Sequence, residues 1–206
     1  MARTVRVRRE RVGRWFENFA GRHGAPELSV VDGRLCAIAP DGAQAAASLP
    51  FDTAYDGPPD AAALAEAVVP PRRWGLLLVR KGGFAVAAVE GMTVVDSKVG
   101  QRHVQGRTKA GGQSQQRFAR RRANQARQAY EAAADHAARV LAGVESLVCG
   151  GDRAAVDAVL EDPRLSRLSG VRLEPWLPVP DPRRTVLDQA VLDAASVAIE
   201  VVEPGT

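Results

Sequence analysis

At 206 residues, 46% hydrophobic and 25% charged, the chain can bury one real core plus a small appended subdomain. Its longest apolar stretches are strand-sized, well short of the roughly 18 residues a membrane span requires. The formal net charge of +4 is concentrated in one place: between Ser97 and Tyr130 stand nine Lys or Arg and no Asp or Glu, which leaves an excess of acids elsewhere.

The chain opens on Arg3, Arg6, Arg8, Arg9, Arg11 and Arg14 against the single Glu10. No apolar stretch follows these charges as it would in a secretory signal, so a cytoplasmic protein is expected. Val12, Trp15, Phe16 and Phe19 recur at helical spacing up to Arg22, with His23-Gly24 as the stop. Residues 27–39 read as a hairpin turning at Asp32-Gly33. The prolines of 52–71 mark a loop around a short alanine-rich helix, and with it the internal boundary. Residues 1–72 are thus expected as a helix and hairpin extension, and 73–206 as the main domain.

Trp74 to Arg80 and Phe84 to Glu90 are two apolar strands joined across Lys81-Gly82-Gly83, and Met92 to Lys98 continues as a third. Val99 to Ser114 is glycine-rich and polar with almost no apolar anchor, the pattern of an exposed, mobile loop. From Gln115 to Val144 the period is helical: Tyr130, Ala133, Ala137, Val140 and Leu141 fall on one side, Arg117, Arg120, Arg121, Asn124 and Gln128 on the other. Ser146 to Cys149 is a short strand, Asp152 caps a helix to Leu160, Val171 to Pro175 is another strand, and 185–201 reads as a final amphipathic helix. Strands alternating with helices predict an α/β fold, a mixed central sheet covered by helices.

Neither Cys36 and Cys149 nor His23, His103 and His136 have a metal-ligand spacing, and the two cysteines form no disulfide framework. Both cysteines are expected as small buried residues, with no metal and no cofactor. Arginine far outnumbers lysine, which occurs only at 81, 98 and 109; with the Ala, Gly, Pro and Val richness this is the mark of a GC-rich bacterial genome. A salt-bridged helix face would carry acids at helical spacing, and the 97–130 segment has none. Segregated arginines of this kind are the footprint of a polyanion, since each phosphate met releases condensed counterions.

The order of apolar hairpin, basic loop, Gly111-Gly112-Gln113, then Ser114-x-x-Arg117-Phe118-Ala119-Arg120 with Arg122 on an arginine-rich helix, preceded by His103 and Arg107, resembles the catalytic middle domain of eukaryotic and archaeal class I translation release factors. Trp74-Gly75 with the strand they open, Leu147 to Gly151, and Asp162-Pro163-Arg164-Leu165 extend the likeness from about Arg73 to the C-terminus. The length leaves no room for a codon-reading domain or a GTPase-recruiting one. The likeness is then to the stand-alone ribosome quality-control hydrolases. It implies codon-independent hydrolysis of peptidyl-tRNA on stalled ribosomes or large subunits. The implied partners are peptidyl-tRNA and the rRNA of the peptidyl transferase centre, with no membrane and a monomeric chain.

The residue types suit that chemistry. An ester already bound by the ribosome needs little more than a placed water. Gly111 and Gly112 lack Cβ atoms, so their backbone can adopt positive φ and approach closely. Gln113 has no titratable group and cannot act as an ordinary general base. By resemblance its backbone N–H would stabilise charge on the intermediate while its side chain positions water, making Gln113 the leading catalytic candidate. His103, Arg107, Lys109, Arg117, Arg120 and Arg121 would dock the loop on RNA phosphates. The rival reading is a non-catalytic ribosome- or RNA-binding module. A nuclease would need clustered carboxylates, which the basic stretch lacks.

Overall fold

The computed structural model describes residues 2–81, 83–101 and 113–204, the side chains of 101 and 113–126 excepted. In chain order its elements are β1 (Ala2–Val7), α1 (Val12–His23), β2 (Glu27–Val31), β3 (Arg34–Ile38), β4 (Gln44–Ser48), α2 (Ala61–Glu66), β5 (Arg73–Arg80) and β6 (Gly83–Glu90). There follow β7 (Thr93–Gln101), α3 (Gln113–Val140), β8 (Ser146–Gly151), α4 (Arg153–Leu160), β9 (Arg172–Leu177), α5 (Arg184–Ala194) and β10 (Val197–Val202). They form two compact units, Met1–Pro70 with Leu192–Thr206, and Pro71–Val191.

The first unit is an antiparallel sheet in the order β1-β10-β4-β3-β2. Alternation puts Leu35, Ala37, Ala45, Ala47, Val197, Ile199 and Val201 into a core with Val12, Phe16 and Phe19 of α1 and Leu64 of α2. The hairpin turn at Asp32 and Gly33, both at positive φ (50° and 72°), is the one that Asp-Gly favours.

This unit is more than the helix and hairpin that residues 1–72 suggest. β1 alternates Thr4 and Arg6 with Val5 and Val7, a two-residue period hidden under the arginines. β4 is the run Gln-Ala-Ala-Ala-Ser, poor in strand-forming residues and paired on both sides. The helical period of 185–201 holds only to Ala194. Beyond it the β-branched Val197, Ile199 and Val201 alternate inward, and this strand pairs between β1 and β4. Residues 192–206 therefore belong with the first unit, not with a domain running from 73 to 206.

The second unit is a mixed sheet in the order β7-β6-β5-β8-β9, antiparallel through β7, β6 and β5 and parallel through β5, β8 and β9. Between the exposed Arg73, Arg80 and Glu90 at their ends, β5 and β6 are apolar and buried on both faces. One face packs Leu77, Val79, Phe84 and Val86 against Ala133, Ala137 and Val140 of α3 and Val156 and Val159 of α4. The chain is thus a mixed α/β protein with helices on its sheets, the fold class that the alternation of elements predicts.

Gly150 lets β8 and β9 close up, since a Cβ there would sit 2.6 Å from the Leu177 carbonyl oxygen. Asp152 stands at the N-cap of α4 with extended backbone, yet its side chain makes no capping bond. Its backbone N–H instead donates to the Val79 carbonyl at 2.8 Å, tying the helix start to β5.

Candidate functional site

The Gly-Gly-Gln sequence falls between β7 and α3. β7 runs to Gln101, three residues further than its sequence pattern predicts, and α3 opens at Gln113, the third residue of the motif. His103, Arg107, Lys109, Gly111 and Gly112 lie outside the described residues. Arg117, Arg120 and Arg121 are on α3 at the i, i+3, i+4 spacing of a single helical stripe; their side chains too lie outside the description. Phe118, Ser114 and Arg122 are in the same position.

The described structure shows the two stems that carry this segment. β6 pairs with β7 to its end, Gly83 opposite Gln101 and Phe84 opposite Gly100. Phe84 stacks on His136 of α3, with ring centroids 5.6 Å apart and planes at 27°. Arg139 of α3 donates to the Asp96 carboxylate of β7 at 2.8 Å. The β6–β7 hairpin and α3 are therefore joined twice, β6 by an aromatic stack and β7 by an ion pair.

Below the stems α3 changes character. Ala133, Ala134, Ala137 and Val140 are buried in the core, and the acids absent upstream appear. Glu131 pairs with Arg127 at 3.8 Å, and Asp135 accepts from Arg164 at 2.7 Å. Arg164 also grips Asp162 at 2.7 Å, and the guanidinium holds that carboxyl down to about 2. α3 thus enters the body through neutralised charges, while the acid-free segment lies wholly upstream.

Sequence patterns alone single out none of Phe84, Gly100, Asp96, His136 and Arg139. A glycine in an otherwise substituted strand is the one available signal, since it marks close approach of a neighbour. Cys149 is buried as expected, and Cys36 is only half-buried. Among the described residues, no three His, Cys, Asp or Glu gather as a metal site. Among them also, no helix is long and apolar enough to cross a membrane.

Residues 72–200 match the family model described as Actinobacteria/chloroflexi VLRF1 release factor. No curated protein matches the chain. Similar solved structures include the archaeal translation termination factor aRF1, 13% identical with a TM-score of 0.40, covering 77% of this chain and 48% of that one. The Vms1 mitochondrial localization core is 12% identical with a TM-score of 0.44, covering 88% and 78% respectively. An archaeal protein is 13% identical with a TM-score of 0.37, covering 77% and 51%. The chain spans about half the length of the archaeal termination factor. The family match takes in more than half of the chain, including both stems, Gly111-Gly112-Gln113 and the arginine-rich helix, and this protein belongs to the Actinobacteria/chloroflexi VLRF1 release factor family.

Proposed function

We propose that this protein hydrolyses the ester of peptidyl-tRNA on stalled ribosomes or large subunits, without reading a codon, and so frees nascent chains in ribosome quality control. One observation carries the reading: the release-factor family match spans Gly111-Gly112-Gln113 together with the β6–β7 hairpin before it and the arginine-rich helix α3 after it. In this reading Gly111 and Gly112 let the backbone approach the ester, and Gln113 supplies an N–H to the developing oxyanion while its side chain orders water. His103, Arg107, Lys109, Arg117, Arg120 and Arg121 grip rRNA and the tRNA acceptor end through phosphates. The protein acts as a cytoplasmic monomer and needs no cofactor of its own, because positioning supplies most of the rate.

The test is release from peptidyl-tRNA on purified large subunits by the parent chain and by Gln113→Ala, with binding measured in parallel. Loss of release with binding kept supports hydrolysis. Release by Gln113→Ala at the parent rate removes Gln113 from the mechanism. Binding without release by the parent leaves the protein a docking module.

A further inference from the structure

The first unit carries an arginine surface that the proposed chemistry does not use. Arg11 at the N-cap of α1 and Arg14, Asn18 and Arg22 along the helix follow one another at helical spacing, and all four are exposed. Arg3 on the edge strand β1 and Arg9 in the turn before α1 are exposed as well. Residues 2–22 contain seven arginines against two acids: Glu10, which lies 3.8 Å from Arg9, and the exposed Glu17 of α1, which stands in no ion pair among the described residues.

The other acids that form ion pairs in this unit are engaged elsewhere. Glu200 pairs with Arg34 at 3.9 Å, and Asp41 and Glu203 flank His23 at 2.8 Å and 3.6 Å. Arg3, Arg11 and Arg14 stand in no ion pair among the described residues, and Arg22 makes only a 3.4 Å bond to the Asn18 carbonyl within its own helix. A folded unit gains nothing from keeping like charges this close, whereas a polyanion makes them attractive. Guanidinium groups match phosphate oxygens with paired N–H donors.

The opposite side of α1 decides between polyanions. A helix that lies on a lipid surface must insert its apolar face. Here Val12, Phe16 and Phe19 are buried in the core and Trp15 packs against it, so that face is occupied. What remains is a cationic stripe about 16 Å long from Arg11 to Arg22, suited to a nucleic-acid backbone.

We propose that this stripe, with Arg3, is a second RNA-backbone contact, separate from the Gly-Gly-Gln segment, that sets affinity without reading sequence. The proposal rests on the functional reading above only for the choice of RNA over DNA, and it needs no release activity. Its test is equilibrium binding of the full chain to vacant large subunits and to a generic RNA duplex, over a range of salt.

In the variant Arg3→Gln, Arg11→Gln, Arg14→Gln, Arg22→Gln, the slope of log affinity against log salt becomes shallower by roughly 0.7 to 0.9 for each phosphate that is no longer neutralised. Affinity near physiological salt falls about ten- to hundredfold on both RNAs. The charge-keeping variant Arg11→Lys, Arg14→Lys, Arg22→Lys retains the parent slope, and Arg72→Gln, Arg183→Gln, which removes exposed arginines of the second unit, retains it too. A parent slope in the folded quadruple variant overturns the proposal. So does an equal loss in the Arg72 and Arg183 control, or a defect seen on anionic vesicles of phosphatidylserine but not on RNA. If the parent binds the duplex through these arginines but releases no peptide, the surface stands and the hydrolase reading falls.

Discussion

Phe84 occupies the space that a side chain at Gly100 would need: its Cζ lies 2.6 Å from where that Cβ would be. The same ring stacks on His136 of α3, so the absence of a side chain in β7 is what lets strand, ring and helix close up at the foot of the segment. Gly100→Ala should push the ring off His136 and cost about 1–3 kcal/mol, the range for forcing an extra carbon into a packed site. Thermal melting checks this, and His136→Ala made on the Gly100→Ala background should cost less than it does alone, because the stack is already broken. A Gly100→Ala melt identical to the parent's would show that the ring moves freely.

Asp162 supplies a pH signature. Its carboxyl is held at about 2, first by the Arg164 side chain and then by the Arg164 backbone N–H. A carboxyl depressed in the folded state adds stability that is complete above its unfolded value, near 4, and is lost as pH falls toward 2. Asp162→Asn keeps an acceptor for the backbone N–H of Arg164 but removes the charge. The variant should therefore melt below the parent at pH 6, and the gap should close between pH 4 and pH 2. A gap that is constant with pH would assign the effect to packing.

How much of this was legible in the sequence depended on whether local and tertiary signals agreed. The β5–β6 hairpin, the Asp32-Gly33 turn and the long α3 are elements in which apolar period and turn chemistry point the same way. β4 fails that test, because three alanines carry no strand preference and only pairing with β3 and β10 makes them one. β10 fails differently: its valines and Ile199 continue the apolar face of α5 closely enough to pass for helix, and its partner β1 lies at the other end of the chain. Gly111-Gly112-Gln113 was legible as a motif because it is a run of consecutive residues. The contacts of Phe84 with His136 and of Asp96 with Arg139 were not, because those residues meet only through the fold.

The two cysteines should differ in reactivity. Burial pushes the Cys149 thiol up to about 12, with the nearby Arg172 opposing it only in part, so almost no thiolate exists there at neutral pH. Cys36 is half-buried, on the sheet face turned away from the core of the first unit. A thiol reagent at pH 8 should titrate one cysteine in the native protein and two in denaturant. Cys36→Ser should leave a native protein that scarcely reacts. Rapid labelling of that variant would mean that β8 opens readily.

Docking and chemistry are assigned to different atoms, so their losses should separate. Arg120→Gln with Arg121→Gln removes two positions of one helical stripe and should make the salt dependence of large-subunit binding shallower by roughly 0.7 to 0.9 per phosphate. At saturating protein its release rate should fall far less than its affinity, since phosphate contacts position the chain and do not touch the ester. Gly112→Ala should do the opposite. An added Cβ restricts the backbone conformations that close approach requires and displaces the neighbouring N–H donor, and the loss of one such donor costs about 10²- to 10³-fold in rate. Single-turnover release beside equilibrium binding reads both. If Gly112→Ala weakened binding and left the saturated rate alone, the glycine would be serving the fit of the segment to RNA, and the catalytic approach of its backbone would have to be abandoned.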